Sequence, residues 1–169
     1  ATTLAVSGVG FQPDFTWIKN RDQADDHTLV DSVRGATNYL VSNETDAEVD
    51  DSTFVASLDS DGFTVGDDVV VNTSTENYAS WNWKAGGATT VTNTDGDEES
   101  EVSVDNTAGI SILTYSGTLT SSGSRTVGHG LSVAPELIIS KSTNTVASWA
   151  VQVPNALTSS SYILRLNTT

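Results

Sequence analysis

The sequence predicts an all-β protein, an antiparallel β-sandwich or jelly roll. Three observations lead there. Apolar and polar residues alternate over short runs bounded by Gly, Asn, Asp and Ser. No window keeps apolar residues three and four apart through three helical turns. Turn-forming groups such as Asp61-Gly62 and Asp105-Asn106-Thr107 stand between the β-rich runs.

Taken in order, the alternating runs place strands at 14–19, 27–33 and 38–42, then at 54–58, 62–65 and 69–72. Asp61-Gly62 turns the chain between the fourth and fifth, and Gly66-Asp67-Asp68 separates the fifth from the sixth. In the next strand, 78–84, Ala79, Trp81 and Trp83 share one face while Ser80 and Asn82 share the other, so both tryptophans are expected in the core. Residues 86–100 shift to Gly, Thr, Asn and acid, the composition of an exposed connection. Strands 101–104 and 109–115 follow around the Asp105-Asn106-Thr107 loop, and 125–127, 136–140, 148–153 and 162–166 complete the set. Many short strands at this spacing favour a sandwich.

The chain has 169 residues and 17.7 kDa, a size at which folding buries roughly two-thirds of the unfolded surface. Hydrophobic residues make up 37% and mean hydropathy is -0.18. No apolar run approaches the roughly 18 residues that span a bilayer, which excludes membrane insertion by a helix. Asp and Glu number 22 against 7 Lys and Arg, for a net charge of -15, so nucleic acid phosphates are repelled. With no cysteine there are no disulfides, thiolate metal sites or cysteine nucleophiles. The sequence has no methionine and opens at Ala1 without a signal region, so a processed chain or a piece of a longer one is expected.

The acids lie in short clusters, Asp25-Asp26, Asp50-Asp51, Asp67-Asp68 and 97–99, as a surface property rather than a tail. Self-repulsion at this charge weakens a compact state in dilute buffer, whereas a Debye length of about 3 Å in molar salt screens it. Scarce lysine beside abundant Asp, Thr and Val points towards a halophilic setting.

An internal repeat organises the chain. Gly8-Val9-Gly10-Phe11-Gln12-Pro13 through Lys19 recurs as Gly128-His129-Gly130-Leu131 through Lys141, with the glycines offset by 120 residues and the prolines by 122. A looser echo of Tyr39 through Thr45 begins at Ile163, offset by 124. A period of this length is domain-sized. The expected division is a first sandwich repeat at 1–86 lacking a leading strand, an acidic linker or hairpin at 87–108, and a partial second repeat at 109–169. The second copy completes the first if strand 109–115 pairs back onto it; otherwise open β edges call for assembly contacts.

Three blocks carry a family resemblance: GVGFQPDFTWIKNRDQADDHTLVDSVRGATNYL from Gly8, SLDSDGFTVGDDVVVNTSTENYASWNWKAGG from Ser57, and ILTYSGT with TVGHGLSVAPELIISK from Ile112 and Thr126. Together they span nearly the whole chain, and the chain resembles a repeated domain of virion proteins of tailed viruses, notably marine phages. The resemblance implies a structural or adhesive virion part, tail-fibre-like or surface-decorating, with a sandwich of the lectin or laminin-G type and no known active site. This sequence departs from the pattern at both ends and in its acidity, which suggests a virus of a halophilic host.

Candidate chemistry is sparse. Asp95, Asp97, Glu99 and Glu101 alternate, and on a strand they would share a face; a glycosidase needs two carboxylates roughly 5–5.5 Å or 6.5–9.5 Å apart across a sugar cleft. The segment contains Gly, lacks aromatic sugar platforms and stacks like charges, so it reads as a solvated connection. His27 and His129 have no second ligand at zinc spacing, and His129, between two glycines, is expected to cap a turn. Asp59-Ser60-Asp61-Gly62 and Asp95-Gly96-Asp97 begin a calcium-loop pattern without completing it. His27, Asp31 and Arg34 are expected to salt-bridge within the sheet. Asn43, Asn72 and Asn167 open N-glycosylation acceptor patterns of the kind that arise by chance in a Thr-rich chain. No catalytic residue, metal site or cofactor is therefore assigned, and no ligand-binding residue is identified. The expectation is a non-enzymatic, surface-exposed module of a tail fibre or receptor-binding appendage on the virion surface. Its partners would be other virion proteins, copies of itself and a host cell-surface glycan or protein. Capsid decoration, or a cellular secreted adhesin or filament subunit, shares the same physical features.

Overall fold

The structure, a computed structural model, describes residues 2–87, 89–118, 120, 123–154 and 163–168. The chain runs through β1 (Leu4–Ser7), β2 (Phe15–Asn20), β3 (Thr28–Asp31), β4 (Gly35–Val41), β5 (Val49–Asp50), β6 (Val55–Asp59), β7 (Gly62–Val65) and a single helical turn, α1 (Val69–Asn72). It continues with β8 (Tyr78–Trp83), β9 (Val91–Asn93), β10 (Ser100–Asp105), β11 (Ile110–Tyr115), β12 (Ile138–Ser140) and β13 (Ala150–Gln152). The fold is all-β, with antiparallel sheets consistent with a sandwich.

Residues 4–83 form two packed layers. A five-stranded sheet has the order β5-β4-β3-β2-β8, and a three-stranded sheet has the order β1-β7-β6. Period-two alternation decides which side chains meet. Ile18 and Val30 of the larger sheet pack with Val55, Phe63 and Val65 of the smaller sheet and with Val71 of α1. Tyr39 stacks on Phe54 beside them, ring centroids 4.0 Å apart. Each such aliphatic or aromatic side chain contributes about 1.5–3 kcal/mol when buried. At the turn between β6 and β7, Gly62 has φ +145°, and a Cβ there would lie 2.0 Å from the Val6 carbonyl oxygen. Only glycine lets β1 lie against β7 at this point.

Residues 69–72, expected as a strand, form α1 instead. Three consecutive valines read as β, but Asp68 caps the turn, its side chain accepting from the Val70 N–H at 2.8 Å. Only Val71 of the turn is buried.

Asp14, fully buried, ties the layers to the segment that leaves β8. Its carboxylate accepts from Ser32 Oγ at 2.8 Å and from the Ala85 and Gly87 amides at 2.7 and 3.1 Å. Beyond that segment, β9, β10 and β11 form an antiparallel sheet of order β11-β10-β9. The expected loop at Asp105 closes the β10–β11 hairpin, Oδ1 accepting from the Thr107 and Ala108 amides. One expectation is corrected here. The stretch 86–100 contains β9 and a buried Glu98, because Glu98 finds Arg125 at 3.7 Å and the Thr118 hydroxyl. Strand 109–115 pairs with β10 across the expected hairpin, so of the two readings left open it does not take the one in which it pairs back onto the first copy. Of 125–127, only Val127 makes a bridge, to Glu98.

The internal repeat is visible in strand register. Shifted by 122 residues, Thr16↔Val30, Trp17↔Leu29 and Ile18↔Thr28 of β2–β3 become Ile138↔Gln152, Ile139↔Val151 and Ser140↔Ala150 of β12–β13. Leu29↔Leu40 has its counterpart in the Val151–Leu164 bridge. Lys19 Nζ donates to the carbonyls of Asn20 and Gln23, and Lys141 Nζ to those of Ser142 and Thr145. The same side chain closes the same turn in both copies. Of the expected strand 162–166, Tyr162 lies outside the described residues.

Candidate binding face

The five-stranded sheet has a second, outer face. On β2, Thr16, Ile18 and Asn20 point to the sandwich core, so Phe15, Trp17 and Lys19 point outward. The antiparallel register sets Trp83 opposite Phe15, Trp81 opposite Trp17 and Ala79 opposite Lys19. Residues directly opposite share a face, which makes a cross-strand aromatic row. Ring centroids are 5.4 Å apart for Phe15–Trp83 at 59°, and 6.4 Å for Trp17–Trp81 at 70°. His27 extends the row, 5.7 Å from Trp17 at 71°. These tilted and edge-on arrangements are the ones aromatic quadrupoles favour.

Half of this outer face is covered. Trp149 is 5% exposed, packs with Leu29 and Leu40, and donates its indole N–H to the Val41 carbonyl at 2.8 Å. Phe15, Trp17 and Leu166 flank that cluster. The other half is open: Trp81 is 50% exposed and Trp83 37%. The expectation that these tryptophans point into the core is corrected. Alternation did group Ala79, Trp81 and Trp83, but on the outer face.

Polar groups bordering the row are already committed. Trp17 donates its indole N–H to Nδ1 of His27 at 2.8 Å. Burial and then the Lys19 charge hold His27 below its ordinary pKa of 6.5, against the pull of Asp26. At neutral pH His27 is thus the uncharged imidazole with its proton on Nε2. Lys19 is turned onto backbone carbonyls. Asp31 pairs with Arg34 at 2.6 Å, and Arg34 reaches Glu48 at 2.6 Å, with the Asp31 and Arg34 side chains nearly buried. His27 stands apart from this ion pair, contrary to the expected three-residue arrangement.

The remaining candidates are dispersed. Asp97 accepts from the Thr126 amide and hydroxyl, bonds that hold its pKa below the usual carboxylate value. Glu101 accepts from Thr90 and Thr92, and Asp95 lines a shallow groove of about 290 Å³ with Val91 and Val102. β10 starts only at Ser100, so Asp95, Asp97, Glu99 and Glu101 do not line one strand face. Asp61 accepts from the Gly8 and Gly10 amides, and Asp59 from Ser57 and Thr64. Among the described residues, no group of three or more His, Asp or Glu is placed to hold a metal ion. His129 caps its turn, Nδ1 accepting from the Leu131 amide at 3.0 Å. Asn43 donates to Asp26, Asn72 to Gly66, and Asn167 accepts from the Trp149 amide.

A signal for the aromatic face was present in the sequence. Strand 14–19 carries apolar side chains on both faces, Phe15 and Trp17 on one and Ile18 on the other. Such a strand needs cover on two sides or leaves one of them open. No curated protein and no solved structure matches the chain. The family model for a domain of unknown function, DUF7483, matches residues 1–169, and the chain belongs to that family.

Proposed function

We propose that this chain is a non-enzymatic, surface-exposed β-sandwich module of a tailed-virus particle, part of a tail fibre or receptor-binding appendage, that attaches the virion to its host. The observation that carries attachment is the open pair Trp81 and Trp83 on β8, the edge strand of the five-stranded sheet. Large apolar groups clustered at a surface mark interaction sites rather than idle surface. Because Trp17 and Phe15 pack against these two rings, little side-chain freedom is lost on contact. Many copies on one particle multiply weak contacts into avidity. The placement on a virion rests on the sequence resemblance, and the net charge of -15 suits a salt-rich medium.

Two measurements test the reading together. Antibody labelling of intact particles is expected at the tail, and labelling over the head would move the role to capsid decoration. Added in excess, the purified chain is expected to block adsorption of particles to host cells, and the Trp81→Ala/Trp83→Ala double variant to block far less. Absence of the chain from particles, together with no effect on adsorption, overturns the proposal.

A further inference from the structure

We infer that the outer aromatic face takes an uncharged, extended pyranose glycan, its sugar rings lying on Trp81 and Trp83 and the Nε2–H of His27 donating to a sugar oxygen. The inference rests on the attachment reading and names the chemistry of its ligand.

Charge narrows the ligand first. The chain carries a net charge of -15, yet the outer-face side chains of β2, β3 and β8 present no free carboxylate. Asp31, the one acid among them, is locked to Arg34, and Lys19, the one cation, keeps its charge but has its ammonium turned onto the carbonyls of Asn20 and Gln23. The contact surface at Trp81 and Trp83 is itself uncharged, with Phe15, Trp17 and Ala79 as their neighbours on that face, and such a surface on a strongly acidic protein favours an uncharged ligand. An anionic polysaccharide meets the surrounding repulsion, and a cationic one finds no carboxylate on β8, the strand that carries Trp81 and Trp83.

Shape narrows it further. Trp81 and Trp83 are two residues apart on β8 and project from the same face, so their attachment points lie roughly 6.5–7 Å apart along the strand. Two indoles in line along one strand offer a linear track rather than a pocket. The C–H faces of a pyranose ring carry partial positive charge and match the negative face of an indole. A chain with equatorial linkages keeps successive rings extended and sets one on each tryptophan.

His27 stands across the sheet from β8, beyond Trp17, where a ligand that crosses the outer face meets its hydrogen-bonding group. Nδ1 of His27 is occupied by Trp17, so the neutral ring has one remaining group, an Nε2–H donor, and no free acceptor. A hydroxyl-rich ligand supplies the acceptor.

The experiment titrates the purified chain with chitohexaose and cellohexaose, both uncharged and equatorially linked, and follows indole fluorescence. Hexagalacturonate serves as the anionic comparison and phosphatidylcholine vesicles as the lipid comparison. Saturable binding of a neutral hexasaccharide is expected, with affinity lowered about tenfold or more by Trp81→Ala or Trp83→Ala. His27→Phe, which keeps the ring packing but cannot donate, is expected to weaken binding less than either. Circular dichroism establishes that each variant is folded. Binding of hexagalacturonate or vesicles in place of the neutral sugars overturns the inference, as does sugar binding unchanged in folded Trp81→Ala and Trp83→Ala. If no sugar binds while the chain still blocks adsorption through Trp81 and Trp83, this inference fails and the attachment reading stands.

Discussion

Trp17 gives its indole hydrogen to Nδ1 of His27 at 2.8 Å, linking the middle of the aromatic row to its rim. A protonated imidazole cannot accept that bond. The folded pKa of His27 lies below 6.5, chiefly through burial, so the unfolded chain takes up the proton first as pH falls. Stability contributed at this site is full above 6.5 and declines as pH drops below it towards the folded pKa. Urea midpoints measured from pH 7.5 to pH 5 are expected to fall, and His27→Gln to flatten part of that fall. An unchanged slope in the variant would show that His27 takes no part.

The two faces of the larger sheet differ in energetic role. Phe63, 2% exposed in the sandwich core, is expected to cost about 3–5 kcal/mol when cut to alanine, from lost transfer energy plus the cavity left behind. Trp81, half exposed, is expected to cost much less stability while removing most binding. Denaturant unfolding of the two variants side by side checks the contrast.

Asp14 joins three segments through one carboxylate. Asp14→Ala leaves the Ala85 and Gly87 amides and Ser32 Oγ without their acceptor, and a loss of about 3–5 kcal/mol is expected. Hydrogen exchange at the Ala85 and Gly87 amides should rise in the milder Asp14→Asn variant, which keeps one acceptor oxygen.

Net charge sets the salt response. With 22 acids against 7 cations, dilute buffer leaves repulsion unscreened, whereas molar salt confines it to about 3 Å. The thermal midpoint is expected to climb steeply between the two conditions. A flat response would remove the halophilic reading.

Local patterns were legible where local chemistry decides the outcome. Strand 62–65 and the Asp105 hairpin follow from alternation and turn residues alone. The repeat, read from Gly8/Gly128 and Pro13/Pro135, reappears as a shared register between β2–β3 and β12–β13. Val69 to Val71 misled because β-branched residues favour strands, while the Asp68 cap and the packing of Val71 favour a turn of helix. The fate of Trp81 and Trp83 could not be read locally. Alternation groups them on one side, but which side is covered depends on Trp149, which packs against Leu29 and Leu40 from the distant second repeat and stops short of burying β8. A tertiary choice of that kind leaves no trace in the spacing of residues 78–84.

The indole region of a ¹H–¹⁵N spectrum reports on each tryptophan of the outer face separately. The four tryptophans, Trp17, Trp81, Trp83 and Trp149, give four indole signals, and Trp149 is held by its bond to the Val41 carbonyl. On addition of polysaccharide from the host envelope, the Trp81 and Trp83 signals are expected to shift in a saturable way while that of Trp149 stays in place. Unmoved Trp81 and Trp83 signals, at polysaccharide concentrations where the chain is shown by sedimentation to be bound, would contradict the account.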